Sequence, residues 1–124
     1  MKILVCGDRN YNNRNKVNEI LTHYKTFSYP SHLIIVEGGA QGADTLAKEI
    51  GIQLGAQIKE YKAQWGTYGK GAGPIRNKLM LDDNLDIEIV IAFHNDIEHS
   101  RGTKNMIKLA EKYHKKVILI QGTQ

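Results

Sequence analysis

Three short stretches combine small residues with hydrogen-bond donors in a way suited to holding an anion. The first is Gly38-Gly39-Ala40-Gln41-Gly42-Ala43-Asp44, which follows an apolar run and precedes a helical pattern. Without side chains at Gly38, Gly39 and Gly42, a ligand could approach the backbone beside Ala40 and Ala43, where the first N–H groups of a helix lack partners. The spacing is neither G-x-G-x-x-G nor the Walker G-x-x-x-x-G-K, so neither a dinucleotide fingerprint nor an NTP hydrolase is indicated. Spacing alone leaves two readings on equal terms, a phosphate cradle or a tight strand-to-helix turn. Asp44 lies in or near the first helical turn, as a dipole partner or as an acceptor for ligand hydroxyls and loop N–H groups.

The second stretch, Gly71-Ala72-Gly73-Pro74-Ile75-Arg76-Asn77, places Pro74, a guanidinium and an amide in the first turn of another helix. An Arg fork suits a phosphate or a carboxylate. A cation at a helix start opposes the dipole unless an anion is near, and Arg101-Gly102-Thr103 repeats the pattern at the last helix. Two such arginines suggest an anionic ligand bridging them. Gly7, Arg9 and Tyr11 in the first loop and His94 after the fourth strand are further ligand candidates, His94 as donor or acid. Trp65 either stacks on a base or fills an apolar seam, and packing is the commoner role. Glu37 and Asp44 are the candidate acid or base of an enzyme, with a plainer role as loop-organising acceptors. The sequence shows no convincing Ser/His/Asp set or metal-ligand cluster, and neither metal nor cofactor is expected.

These residues need a scaffold, and the apolar pattern supplies one. Strands are predicted over 2–6, 33–36, 56–61, 87–93 and 117–120. Helices are predicted from Val17, Ile20, Leu21 and Tyr24, from Ala43, Leu46, Ala47, Ile50 and Leu54, from Ile75, Leu79 and Met80 after Pro74, and from Met106, Ile107, Ala110 and Tyr113. Residues 62–73 read as a long loop. The nearly unbroken apolar run 87–93 has the character of a central strand covered on both faces. Alternation of five strands with four helices makes the fold class α/β, a three-layer open parallel sheet with helices on both faces. Ligands of such sheets sit beyond the carboxyl ends of the strands where strand order reverses, so the loops after the first, second and fourth strands are expected to converge there.

The 124 residues suit one domain, 1–124. The apolar runs are too short to cross a bilayer, and Lys2 leads into a strand-length run rather than a signal peptide, so a cytoplasmic protein is expected. Cys6, the single cysteine, excludes a disulfide framework and reads as a buried inert thiol. A net charge of +4, from 17 Lys and Arg against 13 Asp and Glu, tolerates anionic partners, but its scatter along the chain does not favour nucleic acid.

Taken in order, Gly7-Asp8-Arg9-Asn10-Tyr11, residues 38–44, Trp65, Gly73-Pro74-Ile75-Arg76-Asn77 and Ser100-Arg101-Gly102-Thr103-Lys104-Asn105-Met106 resemble the YspA-like branch of the SLOG superfamily. These Rossmann-like domains are related to the DNA-processing protein DprA and to the Lonely Guy phosphoribohydrolases, and many are bacterial or phage-borne. The resemblance covers nearly the whole chain and implies binding of nucleotides or nucleotide-derived molecules, with phosphate at the glycine-rich loop and at Gly102-Thr103. Lonely Guy enzymes carry P-G-G-x-G-T-x-x-E with a catalytic Glu, and Met106 stands at that position here. A thioether cannot act as a general acid or base. Asp8 and Gln64 also stand where relatives often have Gly and Asp.

The expected activity is therefore binding of a phosphate-bearing nucleotide derivative, as sensor or sequestering protein. The alternatives are an N-glycosidic or phosphoester hydrolase using Glu37 or Asp44, and, lower, a binder of single-stranded nucleic acid. A homo-oligomer, a dimer as in the Lonely Guy group, is also expected.

Overall fold

A computed structural model describes residues 1–121 as alternating strands and helices. The strands are β1 (Lys2–Gly7), β2 (Ile34–Glu37), β3 (Gln57–Glu60), β4 (Ile89–Phe93) and β5 (Lys116–Ile120). The helices are α1 (Arg14–Ser28), α2 (Ala43–Gln53), a single turn α3 (Trp65–Tyr68), α4 (Ala72–Asp82) and α5 (Gly102–Lys112). All strand pairs are parallel, in the order β3-β2-β1-β4-β5.

Alternation along each strand sends side chains to two cores. Ile3, Val5, Ile35, Ile91 and Phe93 pack with Val17, Leu21, Ala47 and Ile50 of α1 and α2. Leu4, Cys6, Val36, Val90 and Ala92 pack with Met80, Leu81, Met106 and Ala110 of α4 and α5. β4 is buried along its whole length, as a central strand covered on both faces must be. The expected three-layer α/β architecture is the observed one. No helix among the described residues is long and apolar enough to cross a membrane.

Two local expectations are corrected. The stretch 62–73 is not plain loop, since it contains α3, a 3-10 turn over Gly69–Gly71 and the start of α4. Four residues are too few to show a periodicity. Ile75 and Leu79 were expected to face inward but are 45% and 47% exposed, and α4 instead buries Ala72, Gly73, Asn77, Met80 and Leu81. Two small residues and an amide take up part of its inner face, where Asn77 reaches across to α5.

The chain runs outward from β1 through β2 to β3, then returns to the other side of β1 for β4 and β5. The reversal therefore falls between β1 and β4, whose carboxyl ends are Gly7 and Phe93. The Asp8 N–H bonds the Phe93 carbonyl at 2.9 Å, which ties the two emerging loops together.

Candidate functional site

A cavity of about 430 Å³ opens above this reversal. Gly7, Asp8, Arg9 and Asn10 bound it on the β1 side, and Gly38, Ala40 and Asp44 on the β2 side. Arg76, Asn77 and Met80 come from α4, and His94, His99 and Ser100 through Thr103 from the β4–α5 connection. A second cavity of about 440 Å³ adjoins it, lined by Gly39, Gln41, Lys62, Ala63 and Trp65 and sharing Arg9, Gly38, Ala40 and Arg76 with the first. The fold thus brings together residues as far apart in sequence as Gly7 and Thr103.

The glycine loop is organised from within. Glu37 Oε1 accepts the Gly39 N–H at 2.6 Å, Asp44 Oδ2 accepts the Ala40 N–H at 3.2 Å, and the Ala43 N–H bonds the Asp8 carbonyl at 3.1 Å. The N–H groups expected to face a ligand are therefore largely engaged by the chain's own acceptors. A Cβ on Gly42, where φ is +75°, would lie 2.2 Å from the Asp8 carbonyl oxygen, so glycine here permits the first and second loops to touch. Ala43 is fully buried and belongs to the core, below the cavity.

Arg76 is similarly occupied. Its Nη1 donates to the Gly38 carbonyl at 2.5 Å and the Tyr61 carbonyl at 3.4 Å, and its Nε donates to Asn77 Oδ1 at 3.0 Å. Any Cβ on Gly38 would strike this guanidinium. Asn77 in turn donates to the Gly102 carbonyl at 3.3 Å and to Asn105 Oδ1 at 2.9 Å, linking α4 to α5. Both side chains line the cavity, yet they act first as struts. Burial lowers the pKa of Arg76, while the charge of Asp44 works the other way.

Among the carboxyls, Asp44 is 6% exposed and borders the cavity. Burial pushes its pKa up to about 6, against the opposing pull of the Ala40 N–H and the Arg76 charge. Glu37 is fully buried and lines neither cavity, so the acid or base expected there sits beneath the loop, out of reach of a ligand. Burial, then contact with Glu60, pushes its pKa up to about 8, and Glu60 is lowered by the same contact. As a carboxylate, Glu37 would leave Oε2 buried without a donor. As an acid, it donates to Glu60, whose charge Lys48 and Lys62 balance at 3.3 and 3.7 Å. The shared proton therefore resides on Glu37.

The α5 start differs. Arg101 and Gly102 are exposed, and Arg101 has no ion-pair partner among the described residues. Thr103 is 5% exposed, and its N–H bonds Ser100 Oγ at 3.0 Å. No acidic residue occupies the first turn. His94 is 7% exposed and its Nδ1 accepts the Asp96 N–H at 2.9 Å, which leaves the ring proton on Nε2 for donation. His99 pairs with Asp96 at 2.8 Å, a contact that raises its pKa.

Tyr11 and Pro74 do not join the site. The Tyr11 ring is 3% exposed and packs 5.4 Å from the Phe93 ring, because the Tyr11 N–H bonds back to the Asp8 carbonyl and turns the loop into the core. Pro74 is exposed in the first turn of α4 and borders neither cavity. Trp65 is 49% exposed, with the Arg9 guanidinium 5.8 Å from its ring centroid, so it stands at the site without being buried under a loop. Met106 is fully buried in the α4/α5 core, facing away from the cavity mouth. The sequence offered no signal for Lys62, which reaches the second cavity only because β3 lies beside β2, nor for Cys6 in the cavity floor. Burial pushes the Cys6 thiol up, which keeps it protonated and poorly nucleophilic.

Residues 1–68 match the model of the YspA, cpYpsA-related SLOG family. The chain belongs to this family. The Gene 61 protein of Mycobacterium phage D29 is 29% identical over 118 residues, covering 90% of this chain and 89% of its own. The SLOG fold itself is matched by DNA processing protein A (DprA) from Streptococcus pneumoniae, with a TM-score of 0.74 and 18% identity over 98% of this chain. This chain spans 50% of that DprA chain.

Proposed function

We propose that the chain binds a phosphate-bearing nucleotide or nucleotide-derived molecule in the crevice between β1 and β4, as a sensor or a sequestering protein. The observation that carries this reading is the α5 start, where Arg101 stands exposed and without an ion-pair partner among the described residues on the rim of the first cavity. A phosphate there gains the α5 dipole and the Arg101 fork, while His94 Nε2 is a third donor. The glycine loop shapes the opposite wall, and Arg76 and Asn77 hold the two walls in register. Membership of the SLOG family supports nucleotide chemistry. The 124 residues act as one cytoplasmic domain that self-associates, which light scattering of the purified protein tests.

Mass spectrometry of small molecules released from freshly purified, denatured protein is expected to yield a nucleotide. Calorimetry with that compound should show weaker binding for Arg101→Ala. Absence of binding and of thermal stabilisation across a panel of nucleotides sinks the reading. Binding that requires an oligonucleotide and weakens steeply with salt would favour single-stranded nucleic acid instead.

One observation favours a hydrolase as the second reading. Asp44 is a buried carboxyl on the cavity wall with its pKa pushed up to about 6, near the range of a general acid or base. This reading expects product release from nucleoside monophosphates or dinucleotides, abolished by Asp44→Asn. No turnover by the wild-type chain on such substrates removes it.

A further inference from the structure

We infer that the ligand spans both cavities and consists of two nucleoside units joined through phosphate, with the second unit stacked on Trp65. The inference rests on the nucleotide-binding reading and extends it. The two cavities adjoin, since Arg9, Gly38, Ala40 and Arg76 border both. Each alone, at about 430 and 440 Å³, lies toward the lower end of the range typical of a whole small-molecule site.

Their chemistry is unequal in a way that fits two halves of one molecule. The first cavity has the α5 start, Arg101 and His94, but no Trp, Tyr or Phe on which a base could stack. The second has Trp65, 49% exposed, beside Arg9 and Lys62. A half-exposed indole on a polar rim is poorly explained as core packing, whereas planar rings stack favourably on it. Arg9 lies over that indole at 5.8 Å and has no ion pair among the described residues, so it holds the place of a planar ring. An incoming base displaces it toward the shared wall, where its charge meets the phosphates between the two nucleosides. Lys62, 75% exposed in its side chain and only loosely paired with Glu60 at 3.7 Å, is free to turn to the same phosphates.

Trp65 is the single tryptophan beside six tyrosines, so fluorescence excited beyond the tyrosine absorption band reports on the second cavity. The test titrates AMP and GMP, then diadenosine and diguanosine 5′,5′-diphosphates, then 5′-phosphorylated oligonucleotides of two to ten residues, by fluorescence and by calorimetry. At least one dinucleoside diphosphate is expected to bind at least tenfold more tightly than its monophosphate and to quench Trp65. Calorimetry of Trp65→Ala should bring that dinucleotide down to the affinity of the monophosphate, and Trp65→Phe should restore part of the gain. Equal affinity of mono- and dinucleotide, with Trp65→Ala indistinguishable from wild type, overturns the inference and leaves the nucleotide reading intact. Affinity that climbs with oligonucleotide length up to ten overturns it in favour of a strand. Failure of every compound, monophosphates included, removes both.

Discussion

Two helix starts face each other across the crevice, those of α2 and α5, and similar sequences have given them opposite roles. Each follows a strand, each begins at glycine and small residues, and each has the partial positive charge of a helix N-terminus. At α2, the chain supplies its own acceptors: the Glu37 and Asp44 carboxyl oxygens and the Asp8 carbonyl take the N–H groups of Gly39, Ala40 and Ala43. At α5, one hydroxyl, that of Ser100, takes the Thr103 N–H, and Arg101 stands by as a cation. A glycine loop is an anion cradle only where its own chain has not already placed carboxylates on its donors. On the proposed reading, the α2 loop is a wall and the α5 start is the grip.

The contrast is most sharply broken at its glycines. Gly42→Ala drives a Cβ into the Asp8 carbonyl at positive φ and should destabilise by about 3 kcal/mol, while Gly102→Ala meets open space and should cost under about 1 kcal/mol. Chemical denaturation of the two variants checks this, and equal losses would refute the distinction. Arg76→Leu comes next. It removes the donor to the Gly38 carbonyl and the buried counter-charge of Asp44, so a loss of about 3 kcal/mol in unfolding free energy is expected, through structure and not through direct ligand contact.

The wall should also make stability pH-sensitive. Glu37 and Asp44 have folded pKa values raised to about 8 and about 6, so the folded state holds protons that the unfolded chain releases. Their contribution is complete below pH 4 and declines as pH rises, for Asp44 through about 6 and for Glu37 through about 8. Glu60, lowered, acts in the opposite sense and only at acidic pH, so a series from pH 5 to 8 reads the raised pair. Stability should fall across that series by up to about 1.4 kcal/mol per pH unit for each of the two groups, most steeply below about pH 6, and Glu37→Gln should flatten the slope. A wild-type slope unchanged in the variant would remove Glu37 from the account.

Arg101→Ala gives the smallest effect on the fold and the one aimed at the grip. Its melting temperature should match wild type, since the side chain is exposed and unpaired among the described residues, while affinity for a bound nucleotide falls about tenfold, roughly 1.4 kcal/mol. An unchanged affinity would return the anion site to the α2 loop.

Much of the scaffold was legible because its signals are local. The run ending in Phe93 reads as a central strand from composition, and Val17, Leu21, Ala47 and Ile50 announce their helices by spacing. The inner face of α4 was not legible, because Ala72, Gly73 and Asn77 have no apolar contrast with their neighbours, and Ile75 and Leu79 imitate a buried stripe while facing out. At the site, Arg76, Asn77, Asp44 and Arg101 were recognisable as chemistry-bearing types. Whether each was free or engaged was not, and Tyr11, which reads as a loop aromatic, turned into the core against Phe93.

The sequence by itself determined the α/β alternation, the SLOG resemblance, the lack of a Glu where Met106 stands, and the set of residues able to meet an anion. The tertiary structure decided which of them still can. Periodicity and backbone preference act over a few residues, so a sequence displays them directly. A donor's availability depends on what folds against it, and Arg76 reaches Gly38 across thirty-eight residues while Asn77 reaches Asn105 across twenty-eight. Only after those partners are in place does Arg101 stand out as a cation without an ion-pair partner among the described residues.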